Sequence, residues 1–202
     1  SRLWSIVETA NMKKVVVNLD HRPDRWNSFV ENADKARLKN YERFSAVDGS
    51  TSSATKYQSL VSNNSPPQMR CPGVIGCIGS HIQIWEKCLA DNIPYAVYED
   101  DATFTERYND NVAAIYNEAS NLRSGWDVIF LGYHMDENVE NITEKRLELE
   151  AKWPTTLISN FVEMCAHWNM SDPFGPFHGG TFGYLLSPRG AKKMLDCTMK
   201  LG

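Results

Sequence analysis

Pro94-Tyr95-Ala96-Val97-Tyr98-Glu99-Asp100-Asp101 is the stretch on which the reading of this chain turns. Pro94 opens a short apolar run of aromatic and β-branched residues, which predicts a buried strand. Three carboxylates in a row close it. Adjacent anions repel and burial makes the repulsion costlier, so the cluster calls for compensation. A hard divalent cation held by oxygen ligands is one compensator. A solvated acidic turn is the other reading, and the commoner one for three acids taken alone. If the strand persists to its last acid, alternation sends Glu99 and Asp101 to the same side.

On the amino side, residues 13–19 predict a first strand around Val15-Val16-Val17. Asp20 starts a turn, and Pro23 suits the first turn of a helix whose Trp26, Phe29, Val30 and Ala33 share a face. Residues 41–47 read as a second strand, closed by the turn pair Asp48-Gly49. Residues 50–72 are polar and broken by Ser, Asn and Pro, which predicts a long, functional or mobile loop with one helical turn. Ile78, Ile82, Trp85 and Leu89 mark the apolar stripe of the next helix.

On the carboxyl side, residues 108–122 predict a helix with Val112, Ile115, Tyr116 and Ala119 inward. Residues 126–132 read as a strand leaving through Gly132, residues 136–152 as a charged surface excursion, and residues 179–186 as a late strand. Ser187-Pro188 is a cap followed by proline at the first position of a last helix. Strands alternating with helices predict an α/β architecture, a mostly parallel mixed sheet flanked by helices. Residues 1–12 are taken as an N-terminal extension and 13–202 as one domain, a catalytic fragment of something longer.

The 202 residues are 42% hydrophobic and 23% charged, which excludes a disordered chain. A formal net charge of -4 argues against a nucleic-acid surface. No apolar run approaches the ~18 residues of a membrane span. Ser1-Arg2-Leu3-Trp4 lacks the basic start and apolar core of a signal peptide. The odd count of five cysteines fits reduced thiols, so a cytoplasmic location is expected, with a secretory-pathway lumen as the alternative. Glycosylation-type triplets at Asn63, Asn141 and Asn169 do not decide between them. Cys71, Cys77, His81 and Cys88 invite a zinc reading, but their spacing matches no common zinc pattern. Packing of an apolar helix is the expected role of Cys77 and Cys88.

Six stretches occur in a telling order. They are Asn18-Leu19-Asp20-His21-Arg22-Pro23-Asp24-Arg25, Ala46-Val47-Asp48-Gly49 and Gly76-Cys77-Ile78-Gly79-Ser80-His81-Ile82-Gln83-Ile84-Trp85. Then come Glu99-Asp100-Asp101-Ala102, Trp126-Asp127-Val128-Ile129-Phe130-Leu131-Gly132 and Gly180-Thr181-Phe182-Gly183-Tyr184-Leu185-Leu186-Ser187-Pro188-Arg189-Gly190-Ala191. Together they resemble glycosyltransferase family 25, which includes bacterial lipooligosaccharide galactosyltransferases and the collagen galactosyltransferases. The resemblance spans residues 13–195. It implies a GT-A-type fold, a UDP-galactose or UDP-glucose donor, Mn²⁺ or Mg²⁺, and inversion at the anomeric carbon. The acceptor it implies is a carbohydrate or a hydroxylysine-type hydroxyl. Residues 50–72 and 136–176 carry no motif of the family, and acceptor choice would lie there. A non-catalytic carbohydrate- or protein-binding module of transferase-like fold is the alternative. A metal-dependent phosphohydrolase would need a second Asp/His cluster, which the sequence lacks.

Under that resemblance Asp101 and then Glu99 are the expected metal ligands, with His178 as a third from a late segment. Asp100 would contact the ribose or the sugar. Asn18, Asp20, Arg22 and Arg25 leave the first strand at its carboxyl end, where open α/β sheets bind ligands, and would grip the nucleotide. Asp20 as a helix cap and Arg25 as a solvated side chain are the structural readings. Asp48 is a further donor-binding candidate. Ser80 and His81 follow a glycine-rich turn, residues 76–79, at a helix start suited to phosphate. Inversion needs a base, and Asp127, His134, Glu163 and Asp172 are the candidates. His134 is the better placed, because Asp127 begins its strand. Trp168, Phe174 and Phe177 could offer an aromatic platform to a sugar.

Overall fold

The computed structural model describes residues 11–61, 67–104, 108–131, 133–135, 144, 177–179 and 181–201. Strand β1 (Lys13–Asn18) leads through a tight turn to helix α1 (Pro23–Lys35), with Pro23 at its first position. Strand β2 (Tyr41–Ser45) follows, then a short helix α2 (Thr55–Gln58) and the long helix α3 (Pro72–Asp91). Asn92 ends α3 in the left-handed conformation, φ 53°, and its N–H bonds the Cys88 carbonyl. Strand β3 (Tyr95–Glu99), helix α4 (Tyr108–Ser120) and strand β4 (Val128–Phe130) come next. Short strands β5 (Tyr133–Met135) and β6 (Phe177–Gly179) form a separate pair, before β7 (Gly183–Leu186) and helix α5 (Pro188–Leu201).

The main sheet has the order β2-β1-β3-β7-β4. β1 is parallel to both β2 and β3, whereas β7 runs against β3 and β4. The sheet is therefore mixed, with one strand reversed. The period of two divides its side chains between two layers. Val16, Ala96, Tyr98, Ile129 and Leu185 pack with Phe29 and Ala33 of α1 and Val112 and Ala119 of α4. Val15, Val17, Tyr95, Val97, Val128, Tyr184 and Leu186 pack with Ile84 and Cys88 of α3 and Ala191 of α5. Cys88 thus fills the apolar role expected of it. Among the described residues no helix is long and apolar enough to cross a membrane.

Three expectations change. The polar stretch after β2 is not one loop, because a 3₁₀ turn (Ser52–Ala54), α2 and a second 3₁₀ turn (Pro67–Arg70) lie in it. α3 begins at Pro72, so Gly76 and Gly79 lie inside a helix and form no turn. Their reason is crowding: a Cβ on Gly76 would lie 2.5 Å from the Val47 carbonyl oxygen. Finally, β3 stops at Glu99, and Ala102 N–H bonds the Glu99 carbonyl at 3.0 Å. The chain turns there, so Glu99 and Asp101 do not share a strand face.

Candidate functional site

A pocket of about 360 Å³ opens beyond the carboxyl ends of β1 and β3, lined also by the chain after β2 and the amino half of α3. The chain runs from β1 to β2 on one side and returns to β3 on the other. Such a reversal of strand order leaves a crevice where open α/β sheets bind ligands. Asn18, Arg25, Asp48, Ser80, His81, Glu99 and Asp100 all line it.

Asn18 is the hub of one wall. It is buried, and its Nδ2 donates to Asp100 Oδ2 at 2.7 Å and to the Arg22 carbonyl at 3.0 Å. Its Oδ1 accepts from Arg43 Nε at 2.8 Å. Asp100 meets Arg25 Nη2 at 2.6 Å through its other oxygen, and the same nitrogen donates to Asp101 at 2.7 Å. One guanidinium therefore compensates two of the three adjacent acids. Asp101 is exposed and lies outside the pocket lining.

Glu99 belongs to the opposite wall. Alternation along β3 turns it with Tyr95 and Val97 toward α3. Its Oε1 lies 3.3 Å from His81 Nε2 and 3.8 Å from Cys77 Sγ, and accepts from the Thr181 hydroxyl. Burial pushes the Glu99 carboxyl up, but hydrogen bonds from His81 and Thr181 outweigh it and hold the group below its usual range. Burial, reinforced by Glu99, pushes the Cys77 thiol up to about 11. The far side of the His81 ring, Nδ1, is 2.7 Å from the Tyr184 hydroxyl, and that hydroxyl accepts from Trp85 Nε1 at 3.0 Å.

Other expected residues have structural work. Ser80 Oγ donates to the Gly76 carbonyl at 2.7 Å and accepts from Val47 N–H at 2.8 Å, which ties α3 to the chain after β2. Ser80 and His81 sit within α3, not at its start, so the helix amino end, whose partial positive charge favours an anion, lies at Pro72 and Gly73 instead. Asp48 accepts from the Ser50 N–H and hydroxyl, which lower its carboxyl, and its second oxygen lies 3.7 Å from His21 Nδ1. Asp20 does not cap α1. It accepts from Arg43 at 2.7 Å and Ser45 at 2.9 Å, outside the pocket lining.

Asp127 is not placed to act as a base on a ligand in this pocket. β4 runs parallel to β3, and Asp127 precedes β4 at the opposite edge of the sheet. There it holds α5, accepting from Arg189 Nε and Lys193 Nζ, each at 2.6 Å. β5 carries His134 just past the carboxyl end of β4, and its backbone register pairs His134 with His178 of β6. Glu163, Asp172, Trp168 and Phe174, like the triplets at Asn63, Asn141 and Asn169, lie outside the described residues. Sequence reasoning weighed Cys77 with His81 for zinc, set it aside on spacing and gave Cys77 to helix packing, whereas its thiol faces Glu99 and Thr181 in the pocket wall; Thr181 and Tyr184 it missed as site residues. The four-residue step from Cys77 to His81 was the signal that favoured the pair, since on a helix it puts both on one face.

An α/β protein with a ligand crevice at a strand-order reversal is the class that this geometry defines. The family model described as glycosyltransferase family 25 (LPS biosynthesis protein) matches residues 11–202, and the chain belongs to that family. It is 33% identical over 190 residues to the "Glycosyltransferase 25 family member" of Aedes aegypti, covering 90% of this chain and 27% of the mosquito protein. It is 28% identical over 190 residues to "Procollagen galactosyltransferase 1-A" of Xenopus laevis, covering 90% of this chain and 27% of the frog protein. It is 25% identical over 124 residues to "Inactive glycosyltransferase 25 family member 3" of Mus musculus, covering 61% of this chain and 17% of the mouse protein. The chain thus spans about a quarter of the length of the first two of these curated relatives.

Proposed function

We propose that this chain carries the donor site of an inverting hexosyltransferase of GT-A type. It would move galactose or glucose from a UDP-sugar to a hydroxyl of a glycan or glycoprotein. The observation that carries the reading is the convergence of Arg25, Asp100, Asp48 and the amino end of α3 on one crevice. A helix amino end favours phosphate, and a guanidinium binds it in fork geometry. An entering diphosphate competes with Asp100 and Asp101 for Arg25. In the reaction, the acceptor hydroxyl loses its proton to a base and its oxygen bonds the anomeric carbon. The bond from that carbon to the diphosphate oxygen breaks, and UDP leaves. His134 is the proposed base.

The described residues fit a hard divalent cation in part. Asp101 offers an exposed carboxylate, while Glu99 has turned toward Cys77 and His81. Where Mn²⁺ or Mg²⁺ binds at Asp101, it would neutralise charge building on the leaving diphosphate. His178 would be its second ligand in this proposal.

A second reading is a non-catalytic binding module. The mouse relative's name and the pairing of Asp100 and Asp101 with Arg25 favour it. Thermal shift with UDP, UDP-galactose, UDP-glucose and a GDP-sugar, each with and without Mn²⁺, tests the proposal. A UDP-selective, Mn²⁺-dependent rise that Asp101→Ala abolishes, with transfer lost in the same variant, is the expected outcome. Transfer that survives Asp101→Ala sinks the metal assignment. UDP binding without turnover of any donor establishes the binding module.

A further inference from the structure

We infer that Cys77, His81 and Glu99 form a three-ligand site for a zinc-class divalent metal, set in the pocket wall with a fourth position open to the cavity. This inference stands apart from the transferase reading and does not depend on it.

The placement follows from backbone geometry. Cys77 and His81 are four residues apart on α3, so they share a face one turn apart. Glu99 comes from the last position of β3 and faces that helix. The sulfur, nitrogen and oxygen atoms all lie within 4.8 Å of one another. Glu99 Oε1 is 3.3 Å from His81 Nε2 and 3.8 Å from Cys77 Sγ. With metal–sulfur bonds of about 2.3 Å and metal–nitrogen or –oxygen bonds of about 2.0–2.1 Å, the edges of a tetrahedron are about 3.3–3.6 Å. The two edges to Glu99 already match to within about 0.3 Å, and the Cys77–His81 edge, bounded at 4.8 Å, closes on one ion with a rotamer shift of up to about 1 Å.

The surroundings supply what a bare cluster would lack. His81 is only 2% exposed, and its Nε2 is aimed at the other two ligands. Its Nδ1 faces the Tyr184 hydroxyl, itself held by Trp85 Nε1. A ligating histidine needs such a partner for its other nitrogen, because it sets ring angle and tautomer. On binding, the Cys77 thiol proton goes to solvent. With Nε2 on the ion, His81 Nδ1–H donates to Tyr184 Oη. Glu99 is already anionic and exchanges its hydrogen-bond donors for the ion.

Ligand chemistry selects the metal. A thiolate and an imidazole favour zinc or cobalt over magnesium, which asks for oxygen in an octahedron. The pocket opens on all three residues, so water or an anionic oxygen of an occupant takes the fourth position. Three protein ligands with one position open are the arrangement of a reactive metal site, not a closed structural one.

Co²⁺ titration of the full chain tests this, because a thiolate-to-cobalt charge-transfer band reports a Co–S bond directly. The expected result is saturation at one equivalent, intense visible bands of tetrahedral cobalt, and bleaching by Zn²⁺ but not by Mg²⁺. Cys77→Ser should abolish the band and Asp101→Asn should keep it. Should Cys77→Ser fail to fold, the wild type still decides. Zn²⁺ should slow iodoacetamide alkylation of the peptide containing Cys77, read by mass spectrometry, and leave Cys71 and Cys197 reactive. No charge-transfer band in the wild type overturns the site. So does a band that survives Cys77→Ser or disappears in Asp101→Asn, or zinc protection of other cysteines alone. None of these readouts uses a nucleotide sugar, so failure of transfer and failure of this site are told apart.

Discussion

The three acids closing β3 show how much a single residue's setting decides. The period of two predicts that Glu99 leaves the strand on the α3 side with Tyr95 and Val97, and it does. It fails for Asp101, because the chain turns after Glu99 and hands the next two carboxylates to Arg25. A strand's phase is legible in sequence; the residue at which it stops depends on what lies beyond it. Asn18 was legible as a site residue by its place at the exit of β1, but not its task, which is to hold Asp100 and receive Arg43. Asn18→Ala removes the donor to Asp100 Oδ2, in a buried setting, and the acceptor for Arg43 Nε. Leaving such groups unpartnered costs about 1–3 kcal/mol, which urea unfolding would measure. A loss below about 0.5 kcal/mol would mean that Arg25 alone secures Asp100.

At the scale of elements, α3 is where local rules and tertiary packing part company. Gly76 and Gly79 lower helix propensity, so a sequence reading makes them a turn and starts the helix near Ile78. The structure starts it at Pro72, because the chain after β2 must lie against the helix backbone. A Cβ on Gly76 would sit 2.5 Å from Val47 O and 2.9 Å from Gly49 N, and both atoms are backbone. On propensity alone Gly76→Ala would strengthen the helix. On packing it should destabilise the protein by about 1–3 kcal/mol, since neither neighbour can rotate away. It should also weaken UDP binding in the proposed site, because Asp48 and Gly49 line the same crevice. A gain in thermal stability would show that the contact between α3 and the chain after β2 yields more easily than the packing implies. The same start point makes Cys77 a helical neighbour of His81, the relation that a glycine-rich turn would have hidden.

Across the whole molecule, the two-layer α/β plan was legible because strand and helix periods alternate over most of the chain. The reversal of β7 was not, since direction is set by how a connection returns, and no local pattern records it. The sheet's buried tyrosines give this plan a pH signature. Burial pushes the Tyr98 phenol up from 10.0 to about 12, and raises Tyr108, its hydrogen-bond partner, well above its ordinary value. Tyr184, fully buried against α3, is raised as well. In each case the unfolded chain loses its proton first as pH rises. The stabilising contribution is thus complete below about pH 10 and is lost as pH climbs toward the folded value. For Tyr98 the loss sets in near pH 10 and grows as pH rises toward about 12. Urea midpoints measured at pH 8, 10 and 11 should therefore fall increasingly steeply. Tyr98→Phe keeps the ring that packs on Phe29 and Phe104 but removes the ionisable group. Its midpoint should fall less steeply above pH 10 than that of the wild type, whatever it loses at pH 8. Parallel slopes for the two proteins would mean that Tyr98 reaches water and ionises in the folded state, and that the layer between β3 and α1 is looser than its packing implies.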